Sequence, residues 1–128
     1  MTTQDEYKAK AQDALQKLQT QLGELRVQAD LAQAEARDRY QKAIDALRAQ
    51  QRDVQARLDE ASKAGADAWK SAASQVEEAV DGLGDAFSKL ADEVQSAAGA
   101  SSSAAKQAYS AFLDEWKKQR AEREKLLQ

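Results

Sequence analysis

Eight small or aliphatic residues, Ala11, Leu15, Leu18, Leu22, Leu25, Ala29, Ala32 and Ala36, recur in alternating steps of four and three through the first part of this chain. Few patterns limit a fold more, because this spacing puts every member on one stripe of an α-helix and describes a coiled-coil seam. After Ala36 the steps become four, three and four. Cutting the chain every eleven residues then aligns Ala36, Leu47, Leu58, Trp69 and Val80 in one column and Ala43, Val54, Gly65, Val76 and Phe87 in another. A third column holds Tyr40, Gln51, Ser62, Ala73 and Gly84. Eleven residues in three turns is about 3.67 per turn, so the stripe runs straight or slightly right-handed along a helix. A hairpin at Gly65 should shift this register, and no shift is seen. The phase therefore favours helix through Gly65, with Gly65 and Trp69 forming a small-beside-large packing step and a turn there as the weaker alternative.

Composition agrees with a helical reading. The chain has no proline, and of its 54 apolar residues 28 are alanine, which buries little surface per residue. With 32% charged residues and abundant Ala, Gln, Glu, Lys, Arg and Leu, the profile is that of long helices. Acid-first pairs four apart, such as Glu6/Lys10, Asp13/Lys17, Asp53/Arg57 and Asp85/Lys89, support exposed helix by about 0.2–0.5 kcal/mol each. Thr2 or Thr3 caps the first helix, with Asp5 and Glu6 against its positive end.

The expected fold class is all-α: a long amphipathic helix with heptad and then eleven-residue repeats, in a coiled coil or elongated bundle, plus a shorter C-terminal helix. The long segment covers 1–95, with a bend near 65 or 82–84, where Gly82 and Gly84 each cost roughly 1 kcal/mol in a helix interior. Ser96 to Ala105, SAAGASSSAA, loses both stripe and charge, placing a linker over 96–103 and a helix over 104–128. The packing and interaction residues expected from the stripe are Leu15, Leu18, Leu22, Leu25, Leu47, Val54, Leu58, Trp69, Val76, Val80 and Phe87, joined by Phe112 and Trp116 on the C-terminal helix.

The sequence offers little for chemistry. Histidine and cysteine are absent, which removes the commonest general base, the commonest metal ligand and the thiol nucleophile. Ser101, Ser102 and Ser103 lack a base partner and read as linker and caps, and the single glycines form no phosphate loop. Glu77, Asp81 and Asp85 line one helix face but cannot wrap a calcium ion, so they read as a solvated acidic face. Glu122 and Glu124 interrupt the basic run Lys117 to Lys125, which reads as a solvated helical face. Net charge is −3. The expectation is no catalytic, cofactor or metal site, no nucleic acid and no small-molecule substrate. Expected partners are a second copy of the chain or other helices, with a membrane surface as the alternative. Without an apolar signal core or a run of about 20 apolar residues the expected location is the cytoplasm.

The run GADAWKSAASQVEEAVDGLGDAFSKL, Gly65 to Leu90, resembles a family of small bacterial coiled-coil proteins grouped as stress-response proteins. Trp69, Val80, Ala86 and Phe87 stand at that family's steps, and the likeness extends upstream to about Glu24. The eleven-residue repeat is also similar to those of group 3 late-embryogenesis-abundant proteins, and to the lipid-lying repeats of exchangeable apolipoproteins and synucleins, for which Trp69, Phe87, Phe112 and Trp116 would be interface anchors. The resemblance implies a non-enzymatic, stress-associated cytoplasmic protein with a protective or scaffolding role. The alternative is a peripheral lipid-binding protein.

Overall fold

The computed structural model describes residues 2–97 and 103–128. They form four helices, α1 (Thr3–Ala29), α2 (Ala34–Lys63), α3 (Trp69–Ala97) and α4 (Ser103–Leu126), and no strand occurs among the described residues. The fold is all-α. Thr2 caps α1, its hydroxyl accepting the Asp5 N–H at 3.1 Å, and Asp5 and Glu6 stand in the first turn, where their charge suits the dipole.

The single long helix expected within 1–95 is not formed: the chain reverses at 30–33 and again at 64–68. At the first corner α1 tightens, Leu31 and Ala32 donating to the carbonyls of Gln28 and Ala29 at 3.0 and 3.1 Å. Gln33 then turns extended, with ψ of 153°, and the Gln41 amide ties back to the Asp30 carboxylate. At the second corner Ala64 is extended, with ψ of 154°, and the Gly65 carbonyl accepts from Ala68 and Trp69 to begin α3. From α1, the Gln4 amide nitrogen lies 3.0 Å from each of the carbonyls of Ala61, Ser62 and Ala64, meeting acceptors that the end of α2 leaves without helical partners. The step at Gly65 and Trp69 is therefore a turn followed by a buried indole. At 82–84, the other expected bend, α3 continues as helix.

The repeat passes through both corners because it records burial, not continuity. Ala29 before the first reversal and Ala32 within it are buried and Ala36 beyond it is half-buried against the core, while Leu58 and Trp69 are buried on either side of the second. Each hairpin returns its next helix with the apolar stripe facing the same core. Corner lengths of 30–33 and 64–68 happen to preserve the count.

Successive helices run antiparallel. Helices α1 and α3 touch each other and each contacts both α2 and α4, whereas α2 and α4 make no direct contact among the described residues. The cross-section is a flattened diamond with α2 and α4 at its far corners. Its core is a single cluster that includes Leu15, Leu18, Leu22 and Leu25 from α1, Ile44, Val54 and Leu58 from α2, and Val76, Val80, Leu83 and Phe87 from α3. Among the described residues the large hydrophobic side chains left exposed are Val27 and Leu31, at 66% and 69%. No described helix is long and apolar enough to cross a membrane. Of the expected linker 96–103, 98–102 lies outside the described residues, Ser96 and Ala97 belong to α3, and Ser103 belongs to α4.

Candidate functional site at the α4 seam

Two kinds of interface share helix α3. Toward the core it shares with α1 and α2 it presents aliphatic side chains, and toward α4 it presents glycine, an aromatic ring and carboxylates. The second surface is ordered along the helix. Glu77 meets Arg123, Asp81 meets Arg120, Gly84 meets Trp116, and Phe87 meets Phe112. Position falls along α4 as it rises along α3, the register of an antiparallel pair.

At one end of the seam is a buried polar cluster drawn from three helices. Arg123 of α4 has no exposed surface and Glu77 of α3 only 8%. The Arg123 Nε–H donates to Glu77 Oε1 at 2.7 Å, and the Tyr7 hydroxyl of α1 donates to the same oxygen at 2.8 Å. The phenol also lies 3.2 Å from the Ala73 carbonyl, and its ring packs beside Trp69 with centroids 6.2 Å apart. Burial first, and then the Glu77 charge, push the Tyr7 phenol far above its usual range, so it stays protonated and donates. Glu77 Oε2 and Arg123 Nη1 and Nη2 are buried without a protein hydrogen-bond partner. A buried pair so incompletely satisfied adds little net stability, yet removing one partner strands the other and costs about 3–5 kcal/mol.

One turn along α3, Asp81 Oδ2 pairs with Arg120 Nη2 at 3.0 Å, while Oδ1 is buried and unpartnered. Burial raises the Asp81 carboxyl above the ordinary carboxylate value, and Arg120 offsets part of the rise. Next comes the closest approach: a Cβ placed on Gly84 would lie 2.5 Å from Trp116 Nε1. Only the absent side chain lets the indole lie against the helix. Gly82 faces open space, so of the two glycines only Gly84 has this packing role.

Farther on, Phe87 receives Phe112 at 5.3 Å and Tyr109 at 5.9 Å, both edge-on, and Phe112 lies 5.7 Å from Trp116. Such contacts are worth about 0.5–1.5 kcal/mol each beyond burial. Burial and then Glu24 push the Tyr109 phenol up to about 12. On the other flank Lys10 of α1 pairs with Glu122 of α4 at 3.5 Å. An open cleft of about 430 Å³ runs along the seam, lined by residues including Asp81, Gly84, Trp116 and Arg120. The α3–α4 contact is matched in order but thin in packing.

Of the residues singled out by the repeat, Leu15, Leu18, Leu22, Leu25, Leu47, Val54, Leu58, Trp69, Val76 and Val80 lie buried in the core, as do Phe87 and Trp116, with Phe112 half-buried against it. Phe87, Phe112 and Trp116 meet at the seam. Two expectations are corrected. Glu77 and Asp81 do not lie on a solvated face, since α4 covers them, and Arg123 is buried although the basic run reads as solvent-facing. Asp85 remains exposed. The sequence gives no sign of the role of Tyr7, and it marks Gly84 as a place to bend instead of a seat for an indole. The available signal was the charge imbalance: residues 65–100 carry seven acids against two bases, and 101–128 carry six bases against four acids.

The described residues contain no group of three or more acidic side chains placed to hold a metal ion. In comparisons with known proteins, no family model, no curated protein and no solved structure matches this chain.

Proposed function

We propose that this chain is a non-enzymatic bacterial protein of the cytoplasm that protects or scaffolds other molecules under stress, acting through helix–helix association. The observation that carries the reading is the seam itself. Helix α4 is held by an ordered row of aromatic and charged contacts over an incompletely filled cleft, a surface built to bind a helix and able to let it go. The resemblance of Gly65 to Leu90 to bacterial stress-response coiled-coil proteins points the same way. Light scattering of a heat-labile client enzyme tests it. The expected result is suppression of aggregation at near-equimolar ratios, strengthening over the temperatures at which α4 opens. Client aggregation unchanged at every ratio would overturn it.

A specific feature favours peripheral lipid binding as the second reading. Val27 and Leu31 stand exposed together at the α1–α2 corner, where they would enter a membrane interface. Flotation with vesicles containing anionic lipid distinguishes the two: binding lost in a Val27→Ser, Leu31→Ser variant supports lipid, and no flotation excludes it.

A further inference from the structure

We propose that α4 is an exchangeable helix and that its partner is a second copy of this chain, whose α4 enters the same groove in trans. The inference rests on the helix-association reading above and names its partner. Three observations carry it.

First, among the described residues α4 packs on α1 and α3 and not on α2, so its departure leaves the α1–α2 and α2–α3 interfaces untouched. Its described buried residues are Tyr109, Trp116 and Arg123 alone, against eight in α1. Its other large apolar side chains, Phe112, Leu113 and Leu126, are only partly buried against the core, and an element with so few fully buried residues is drawn from the low-stability end of the molecule and opens before the rest.

Second, opening strands complementary surfaces. The groove keeps Glu77, Asp81, Gly84 and Phe87 in order, while the released helix carries Arg123, Arg120, Trp116 and Phe112 in the reverse order. Another copy necessarily presents that same order, with a cation opposite each carboxylate and an indole opposite the glycine. An unrelated amphipathic helix would have to match both the charges and the missing Cβ.

Third, each seam contact formed in trans repeats one formed in cis, so exchange changes few contacts and is governed by concentration and the opening rate, as in domain swapping. The connector 98–102 reads Ala-Gly-Ala-Ser-Ser and contains no proline, so its sequence does not bar the longer path.

The Lys10–Glu122 pair provides the readout, because a carbodiimide joins the two side chains with no added spacer. Equal amounts of ¹⁴N- and ¹⁵N-labelled full-length chain are mixed, warmed, cooled and cross-linked. Monomer and dimer fractions are then separated and their Lys10–Glu122 peptides weighed. The same-label peptide of the monomer shows that the reaction works. In the dimer the expected result is mixed-label peptide at about half of the total, the statistical share for random exchange in a symmetric pair. A dimer containing only same-label peptide overturns the exchange while leaving association through another surface intact. A chain that is monomeric at every concentration overturns it too, and the client assay then judges the protective reading separately.

A second measurement uses charge reversal. Glu77→Arg and Arg123→Glu each place like charges in the seam of a single chain, but two exchanged chains, one of each variant, would have both seams matched. The expected result is poor α4 protection in either variant alone and a one-to-one heterodimer on mixing. If the double variant Glu77→Arg, Arg123→Glu restores α4 protection within one chain and the mixture still gives no heterodimer, the proposal fails.

Discussion

The α2–α3 and α3–α4 interfaces share one helix and solve different problems. In the core it shares with α1 and α2, α3 buries side chains such as Val76, Val80 and Leu83, where the stabilising term scales with apolar area and is not directional. Against α4, it offers a missing Cβ, one aromatic ring and two carboxylates. That surface stabilises less and discriminates more. The contrast separates what holds the bundle together from what selects the helix that lies on it.

The largest expected effect is at the buried ion pair. Arg123→Ala leaves Glu77 buried beside Tyr7 without its cation, a loss of about 3–5 kcal/mol that falls on α4. The α4 amides should lose hydrogen-exchange protection while those of α1–α3 keep theirs. Replacing Glu77 and Arg123 together by Gln and Met should recover much of that loss. Leu22→Ala, at a fully buried site in α1, should instead cost about 2–5 kcal/mol and lower the urea midpoint of the whole molecule. If the two variants gave the same exchange pattern, the distinction between core and seam would collapse.

A pair of smaller changes is more discriminating because the two should differ in sign. Gly82→Ala adds a methyl into open space and should stabilise by roughly 1 kcal/mol through helix propensity. Gly84→Ala makes the same gain but drives its methyl against the Trp116 indole, an overpacking cost of about 1–3 kcal/mol. Thermal melts followed by tryptophan fluorescence should show Gly82→Ala melting higher than the parent and Gly84→Ala melting at or below it. Equal gains would mean that the indole does not lie against α3.

The smallest effect is the pH dependence at Asp81. Its folded-state pKa lies above the unfolded value, so the folded chain binds this proton more tightly. This group's contribution therefore improves as pH falls through the folded value and is lower above it. Asp81→Asn removes that slope and also breaks a half-exposed ion pair worth under about 1 kcal/mol. Urea midpoints of parent and variant should diverge slightly in the parent's favour on acidification.

Much of the core was legible in the sequence because periodicity reports burial directly, as with Leu15 to Leu25 in α1 and Val76 to Phe87 in α3. The first corner was not, since four irregular residues kept the apolar spacing and neither proline nor glycine marked the break, and the second was signalled only by Gly65, across which the spacing still favoured continuous helix. The seam was illegible for a different reason. On a single helix, Glu77 and Arg123 look like residues of solvated faces, and Gly84 looks like a helix weakness. Each acquires its role only from the helix lying opposite, and that pairing is a property of the tertiary fold. The complementary charge of 65–100 and 101–128 hinted at it without giving the register.

Native-state hydrogen exchange across a urea series measures whether α4 opens separately from the other three helices. The α4 amides should open at lower free energy than those of α1, α2 and α3, with a shallower urea dependence because less surface is exposed. Exchange of all four helices with one common free energy and one common urea slope would contradict it, making α4 an inseparable part of a single cooperative unit.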